Sequence, residues 1–229
     1  MSYNNTGKEL LKSAAKTDLK SSTLSLAEKM LDGNLDDGII KDIPVLSTLI
    51  GIGKTFNNIR DYLFAKKLVS FLSGLENMDP NKRAIELNQI NSNLNYQQQV
   101  GEKLLFILDR CEDQTKAFYV AKLFVAFLSK DINYNEFLEA CAILERCFLN
   151  DLARFLNSDL EYLEGEFSAE DQPYDEAFPW FNAGLMHNTI SSVKMEGAIL
   201  SELDKPQKVT IRIWVNPVGR IIHKCLNNN

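Results

Sequence analysis

The chain has 229 residues, of which 45% are hydrophobic and 24% charged, and it carries a formal net charge of -6. That length suits one large or two small domains with a real core, and the balance excludes wholesale disorder. The acidic excess disfavours nonspecific nucleic-acid binding by the whole chain and leaves room only for a local basic patch.

The first twenty residues, MSYNNTGKELLKSAAKTDLK, hold no apolar core of the signal-peptide kind, so export is not expected and a cytoplasmic resting place is. Up to about residue 37 the helical patterning is weak. It rests on Leu10, Leu11, Ala14 and Ala15, then on Leu24, Leu26, Met30 and Leu31 behind a Ser21-Ser22-Thr23 cap. Asp32-Gly33 and Asp36-Asp37-Gly38 are turn signals that isolate the central stretch.

That stretch, from Ile39 to Leu72, organises the chain. Pro44 suits the first turn of a helix. Beyond it Val45, Leu49, Ile52, Phe56, Ile59 and Leu63 recur at helical spacing, with Ile43, Leu46 and Ile50 widening the apolar face. Ser47, Gly51, Lys54, Asn58 and Asp61 form a polar line opposite. Gly51 and Gly53 each cost about 1 kcal/mol against alanine inside a helix and mark a bend, a close contact or a break. The longest uncharged run, Ile43 to Gly53, is about half of the roughly twenty residues a spanning helix needs.

Gly74 is a plausible helix stop, and Asp79-Pro80 restarts a helix with Ala84, Leu87, Ile90 and Leu94 as its apolar face. Residues 97 to 111 and 114 to 129 read as helices. Asn133 and Glu136 form a capping pair ahead of a strongly apolar helix from Phe137 to Leu156. AKKLVSFLS at Ala65 to Ser73 is echoed by AKLFVAFLS at Ala121 to Ser129, consistent either with a duplicated helical hairpin or with convergence; one short match does not make a solenoid.

From Asp159 to Glu176 the chain is dense in acid and reads as a solvated connection. A short helix around Ala177 to Asn188 comes next, then a stretch from Val193 to Leu203. The strand Val209 to Val215 is clear, with Val209, Ile211, Ile213 and Val215 alternating with Thr210, Arg212 and Trp214. Asp204-Lys205-Pro206-Gln207 suits a hairpin loop, and Asn216-Pro217 starts a last helix over Val218 to Leu226. The expected domains are 1–157 (helical), 158–176 (acidic connection) and 177–229.

No catalytic constellation emerges. GIGKT at Gly51 to Thr55 is not a P-loop, because Thr48 stands where the first glycine belongs and the preceding residues have helical periodicity, not that of a buried strand. Cys111, Cys141, Cys147 and Cys225 are scattered, read as reduced thiols, and are far from His187 and His223. No metal, cofactor or catalytic residue is therefore expected, and the chain reads as a non-enzymatic binding or membrane-active protein.

Two resemblances add to this. The C-terminal order of helix, strand, loop, strand and then Asn216-Pro217-Val218-Gly219 resembles the end of a winged-helix domain, with Asn216 in place of the usual threonine. The helix before the wing has no Lys or Arg from Ala177 to Val193, so protein contact is favoured over DNA reading. The pattern KDIP…G.GK…IRD..F.KKL..FL over Lys41 to Leu72 resembles a segment of small bacterial proteins of phage-defence loci, several of which are abortive-infection effectors that damage the inner membrane. That resemblance implies a trigger-dependent effector.

The combined expectation is a mainly α protein, a helical domain followed by a small α+β unit of winged-helix type. It would rest in the cytoplasm, recognise a phage-derived protein (a ring-forming structural protein among the candidates), oligomerise with itself and permeabilise the inner membrane. The membrane-active residues would be Ile43, Val45, Leu46, Leu49, Ile50, Ile52, Phe56, Ile59 and Leu63, with Ser47, Gly51, Lys54 and Asn58 lining the polar side. Arg212 and Trp214 would contact the partner, an aromatic beside an arginine being typical of contact hot spots. The alternative is a soluble adaptor or regulator that binds other proteins through its helices.

Overall fold

The computed structural model describes residues 3–19, 23, 43–50, 59–160, 164–168, 173–194 and 208–227. They form a mainly helical chain with a small three-stranded antiparallel sheet near the C-terminus, as the patterning predicts. It divides into two compact units, Met1–Phe137 and Leu138–Asn229.

The first unit is helical. It holds α1 (Tyr3–Ala14), α2 (Pro44–Ile50), α3 (Ile59–Gly74), α4 (Pro80–Asn91), α5 (Leu94–Arg110) and α6 (Gln114–Leu128). Polar side chains start three of these helices. Asp79, Asn93 and Asp113 accept hydrogen bonds from the N–H groups of Lys82, Tyr96 and Lys116 at 2.9, 3.1 and 3.0 Å, satisfying donors that lack a partner within the helix. The end of α6 is less ordinary. Asp131 N–H donates to Ala126 O and Lys130 N–H to Phe127 O, the pairing of a Schellman motif, which leaves Lys130 at φ 64°.

Helix α1 lies on both α5 and α2. Its crossing with α5 is backbone on backbone: a Cβ added to Gly101 would stand 2.7 Å from the carbonyl carbon of Gly7. The echoing segments meet directly. Helix α3 packs along α6, Ser70 donating to Gln114 O and Gly74 facing Phe118 and Ala121, so later residues of one helix meet later residues of the other. Phe71 and Phe124, with ring centroids 5.8 Å apart, are fully buried in this seam.

One buried cation ties the unit together. Arg83 of α4, 1% exposed, donates from Nε to Ala14 O (2.9 Å) and from Nη2 to Lys16 O (2.7 Å) at the end of α1. Its Nη1 reaches Leu75 O (2.9 Å) and Met78 O (3.2 Å) beyond α3. Burial pulls its pKa below the ordinary arginine value, while the charges of Glu76 and Asp79 act the other way.

Helix α7 (Tyr134–Arg146) begins in the first unit and ends in the second. Its start is the expected capping pair, with Asn133 Oδ1 accepting from Glu136 N–H (3.0 Å) and Glu136 Oε2 from Asn133 N–H (2.7 Å). The single apolar helix expected from Phe137 to Leu156 is two. Phe148, in an extended conformation, separates α7 from α8 (Leu149–Leu156). Neither glycine nor proline marks that break. Leu152 and Phe155 are fully buried beyond it, Phe155 edge-on to Trp180 at 5.7 Å.

The second unit continues with β1 (Gly165–Ser168), α9 (Pro173–Ala183), β2 (Met186–Lys194), β3 (Lys208–Val215) and α10 (Pro217–Asn227). Here the sequence reading needs two corrections. The short helix does not reach Asn188; it stops at Ala183. Gly184, at φ +88°, takes the left-handed position of a second Schellman motif, with Leu185 N–H on Trp180 O and Gly184 N–H on Phe181 O. Residues 186–194 are therefore strand. The stretch read as a solvated connection also contains β1, which supplies the sheet's third strand.

The sheet order is β1-β3-β2, both pairings being antiparallel. Gly165 pairs with Ile213 and Met186 with Val215, and the β2 register shifts between Ile190 and Ser192. Helix α10 starts on Asn216, whose Oδ1 accepts from Val218 N–H (3.0 Å) and whose Nδ2 donates to Gly184 O (3.1 Å). The Asp204 to Gln207 loop and the Leu24 to Leu31 helix fall outside the described residues.

Candidate functional site

The residues expected to act on a membrane divide into three groups. Ile43, Val45 and Leu46 are core, at most 1% exposed, and Leu49 is half-buried. They sit beneath α1, where Val45 N–H donates to Ser13 Oγ (3.1 Å) and that hydroxyl donates to Glu9 O (2.7 Å). Ser47, on the expected polar side, donates to Pro44 O within its own turn. Ile59 and Leu63 stand outward on α3, 77% and 49% exposed. Gly51, Ile52, Lys54, Phe56 and Asn58 lie outside the described residues, as does the side chain of Ile50.

Ile59 and Leu63 share an open groove of about 390 Å³ with Arg60, Phe64, Lys67 and Asp109. Two contacts close its floor between α3 and α5. Arg60 meets the Asp109 carboxylate at 3.4 Å, and Lys67 Nζ donates to Asp109 O at 2.9 Å, satisfying a carbonyl of the last turn of α5. Elsewhere on α5 Phe106, half exposed, lies under two cations: Lys103 Nζ is 5.3 Å and the Arg110 guanidinium carbon 5.2 Å from its ring centroid. Lys66 Nζ is likewise 4.9 Å from the Tyr62 ring.

Arg212 and Trp214 fall as the strand alternation requires. Ile211, Ile213 and Val215 are buried, Arg212 is exposed and Trp214 half-buried. The register places Glu166 of β1 and Thr189 of β2 on either side of Arg212, and His187 beside Trp214 with ring centroids 5.7 Å apart. This row of polar and aromatic groups occupies one face of the sheet. Glu164, one residue before β1, accepts from Val215 N–H (2.9 Å) and pairs with Arg220 of α10, so an acid of the supposed connection holds sheet and helix together.

Sequence reasoning missed Arg83, the cation-flanked Phe106 and the part of His187 in the sheet. The Lys103-Phe106-Arg110 spacing is a helical i, i+3, i+7 stripe that could have been found; nothing local marks Arg83 as buried. Among the described residues no cluster of three His, Cys, Asp or Glu side chains could hold a metal, and no helix is long and apolar enough to cross a membrane. Comparison with protein-family profiles, with curated proteins and with solved structures returns no match.

Proposed function

We propose that this chain is a non-enzymatic effector of bacterial anti-phage defence. It rests folded in the cytoplasm until an infection-derived protein engages it, then oligomerises and permeabilises the inner membrane with the segment that begins at Ile43. The observation that carries this reading is the shelter of that segment: Ile43, Val45 and Leu46 are sealed beneath α1, while Ile59 and Leu63, on the same expected stripe, already face outward. An apolar stripe too short to span a bilayer by itself acts when it is released onto an interface, and in this scheme release draws α2 out from beneath α1. Arg212 and Trp214 are the partner contact in this scheme.

The test is dye leakage from vesicles of bacterial inner-membrane lipid, with and without candidate phage structural proteins. Leakage that needs the trigger, and that an Ile52→Glu variant of unchanged melting temperature has lost, supports the reading, because a charge at that depth costs about 3 kcal/mol. Leakage under no trigger tried, in cells as well as vesicles, refutes it.

The row of half-buried Trp214 with exposed His187 and Arg212 equally favours the second reading, a protein-binding adaptor. Arg212→Glu removes partner capture on either view. Capture by the wild type with no leakage at any stage selects the adaptor.

A further inference from the structure

Helix α2 has seven residues, too few to hold its shape alone, and its own sequence starts it poorly. Ile43, just ahead of it, has no side-chain acceptor, and Pro44 lacks an N–H. Ser47 and Thr48 donate back to Pro44 O and serve no N-terminal donor. The first N–H of α2, that of Val45, is satisfied instead by Ser13 Oγ of α1 at 3.1 Å. Ser13 is fully buried, and its own hydrogen goes to Glu9 O at 2.7 Å, which leaves a lone pair for Val45. One helix thus carries the cap of another.

Helix α1 also supplies most of what α2 packs on, with α3 a lesser contact. It is fastened at two further points. Near its start Gly7 lies backbone to backbone on Gly101 of α5, and at its end Arg83 holds Ala14 O and Lys16 O. Of the four hydrogen bonds of Arg83, two go to this end of α1, two to the turn after α3 and none to α2.

We infer that α1 is an autoinhibitory strap over α2: the two open as one unit, and Arg83 sets how often they do. The inference rests on the membrane reading above and adds how the apolar segment is held back. Lifting α1 breaks the Gly7 crossing, the Ser13 cap and two Arg83 bonds together. Ile43, Val45 and Leu46 therefore stay covered in the absence of a trigger.

Native-state hydrogen exchange of the full chain, with neither lipid nor partner, tests this. The amides of Leu10, Leu11 and Ala14 in α1 and of Val45 to Leu49 in α2 should share one opening equilibrium. That opening should be reached more often than the opening that exposes Leu68 of α3 or Phe124 of α6. Ser13→Ala should speed both sets by a common factor of about five, as loss of a cap does. Arg83→Met should speed both by about tenfold or more, because Ala14 O loses its buried donor.

A Ser13→Ala effect confined to α2, or α2 amides unmoved by Arg83→Met, overturns the inference. So does exchange of α1 and α2 only in step with α3 and α6. With the membrane reading correct, both variants should also leak vesicles at a lower dose of trigger than the wild type. Coupled exchange without leakage under any trigger keeps the strap and removes the permeabilising function. Triggered leakage from a chain whose α2 amides exchange independently of α1 removes the inference alone.

Discussion

Replacing Arg83 with methionine removes four hydrogen bonds to backbone carbonyls while roughly keeping the length of the side chain. Leu75 O retains a second donor, Met78 N–H, and Lys16 O is only part-buried, so water can serve it. Ala14 O and Met78 O bear the main loss. A buried acceptor left unpaired costs about 1–3 kcal/mol, and relief from burying the guanidinium offsets part of that. The expected loss is therefore about 3–4 kcal/mol. In a chain of this size it corresponds to a fall of roughly 6–16 °C in the midpoint of the transition that unfolds the first unit. Arg83→Lys should recover less than half, since one ammonium cannot reach the ends of both α1 and α3. Amide exchange adds a local signature, because the amides of Leu10, Leu11 and Ala14 should lose protection before those of α6. A midpoint shift below about 3 °C in Arg83→Met would mean that the carbonyls find other donors and that the tie is not a principal one.

The same geometry sets three further outcomes. Gly101→Ala should destabilise the first unit by about 2 kcal/mol or more, well beyond its small gain in helix propensity, because its new methyl meets the backbone of Gly7; a neutral urea midpoint would refute the close crossing. Lys130→Gly should stabilise by about 0.5 kcal/mol, since relief of a left-handed lysine outweighs the exposed Lys130–Glu86 pair and the added freedom of the unfolded glycine, and the urea midpoint should rise. Burial raises the Tyr96 pKa, so the folded chain holds that proton more tightly than the unfolded one. The resulting stability is complete below the ordinary tyrosine pKa of about 10 and is lost as pH rises through the higher folded value, a slope that Tyr96→Phe should abolish in alkaline melts.

Whatever local chemistry decides was legible in the sequence. The Asp79-Pro80 start, the Asn133–Glu136 box, the stop at Gly74 and the inward alternation of Ile211, Ile213 and Val215 all obey short-range rules, and all are present. The misses are tertiary. Met186 to Lys194 lacks clean alternation because the β2 register shifts at its middle and because edge position leaves residues 187–190 exposed on both faces. Glu164 and Gly165 sit in an acid-rich run whose composition hides that β3 supplies their partners. The break at Phe148 carries no breaker residue. Ile43, Val45 and Leu46 show the same ambiguity at the candidate site: periodicity identifies an apolar face but not whether protein or lipid covers it.

The Gly7–Gly101 crossing has a consequence for how the chain can vary. Most buried positions drift in pairs, a larger side chain on one helix being absorbed by a smaller one across from it. Here each glycine is opposed by main-chain atoms, which no substitution can shrink. A methyl at either site leaves nothing at the other to trim, so there is no compensating partner and no neutral path through sequence space. Libraries that shuffle the α1 and α5 surfaces should return glycine at both positions independently, without the statistical linkage that ordinarily betrays a contact. Contact inference from co-variation would overlook this crossing for the very reason that it is tight.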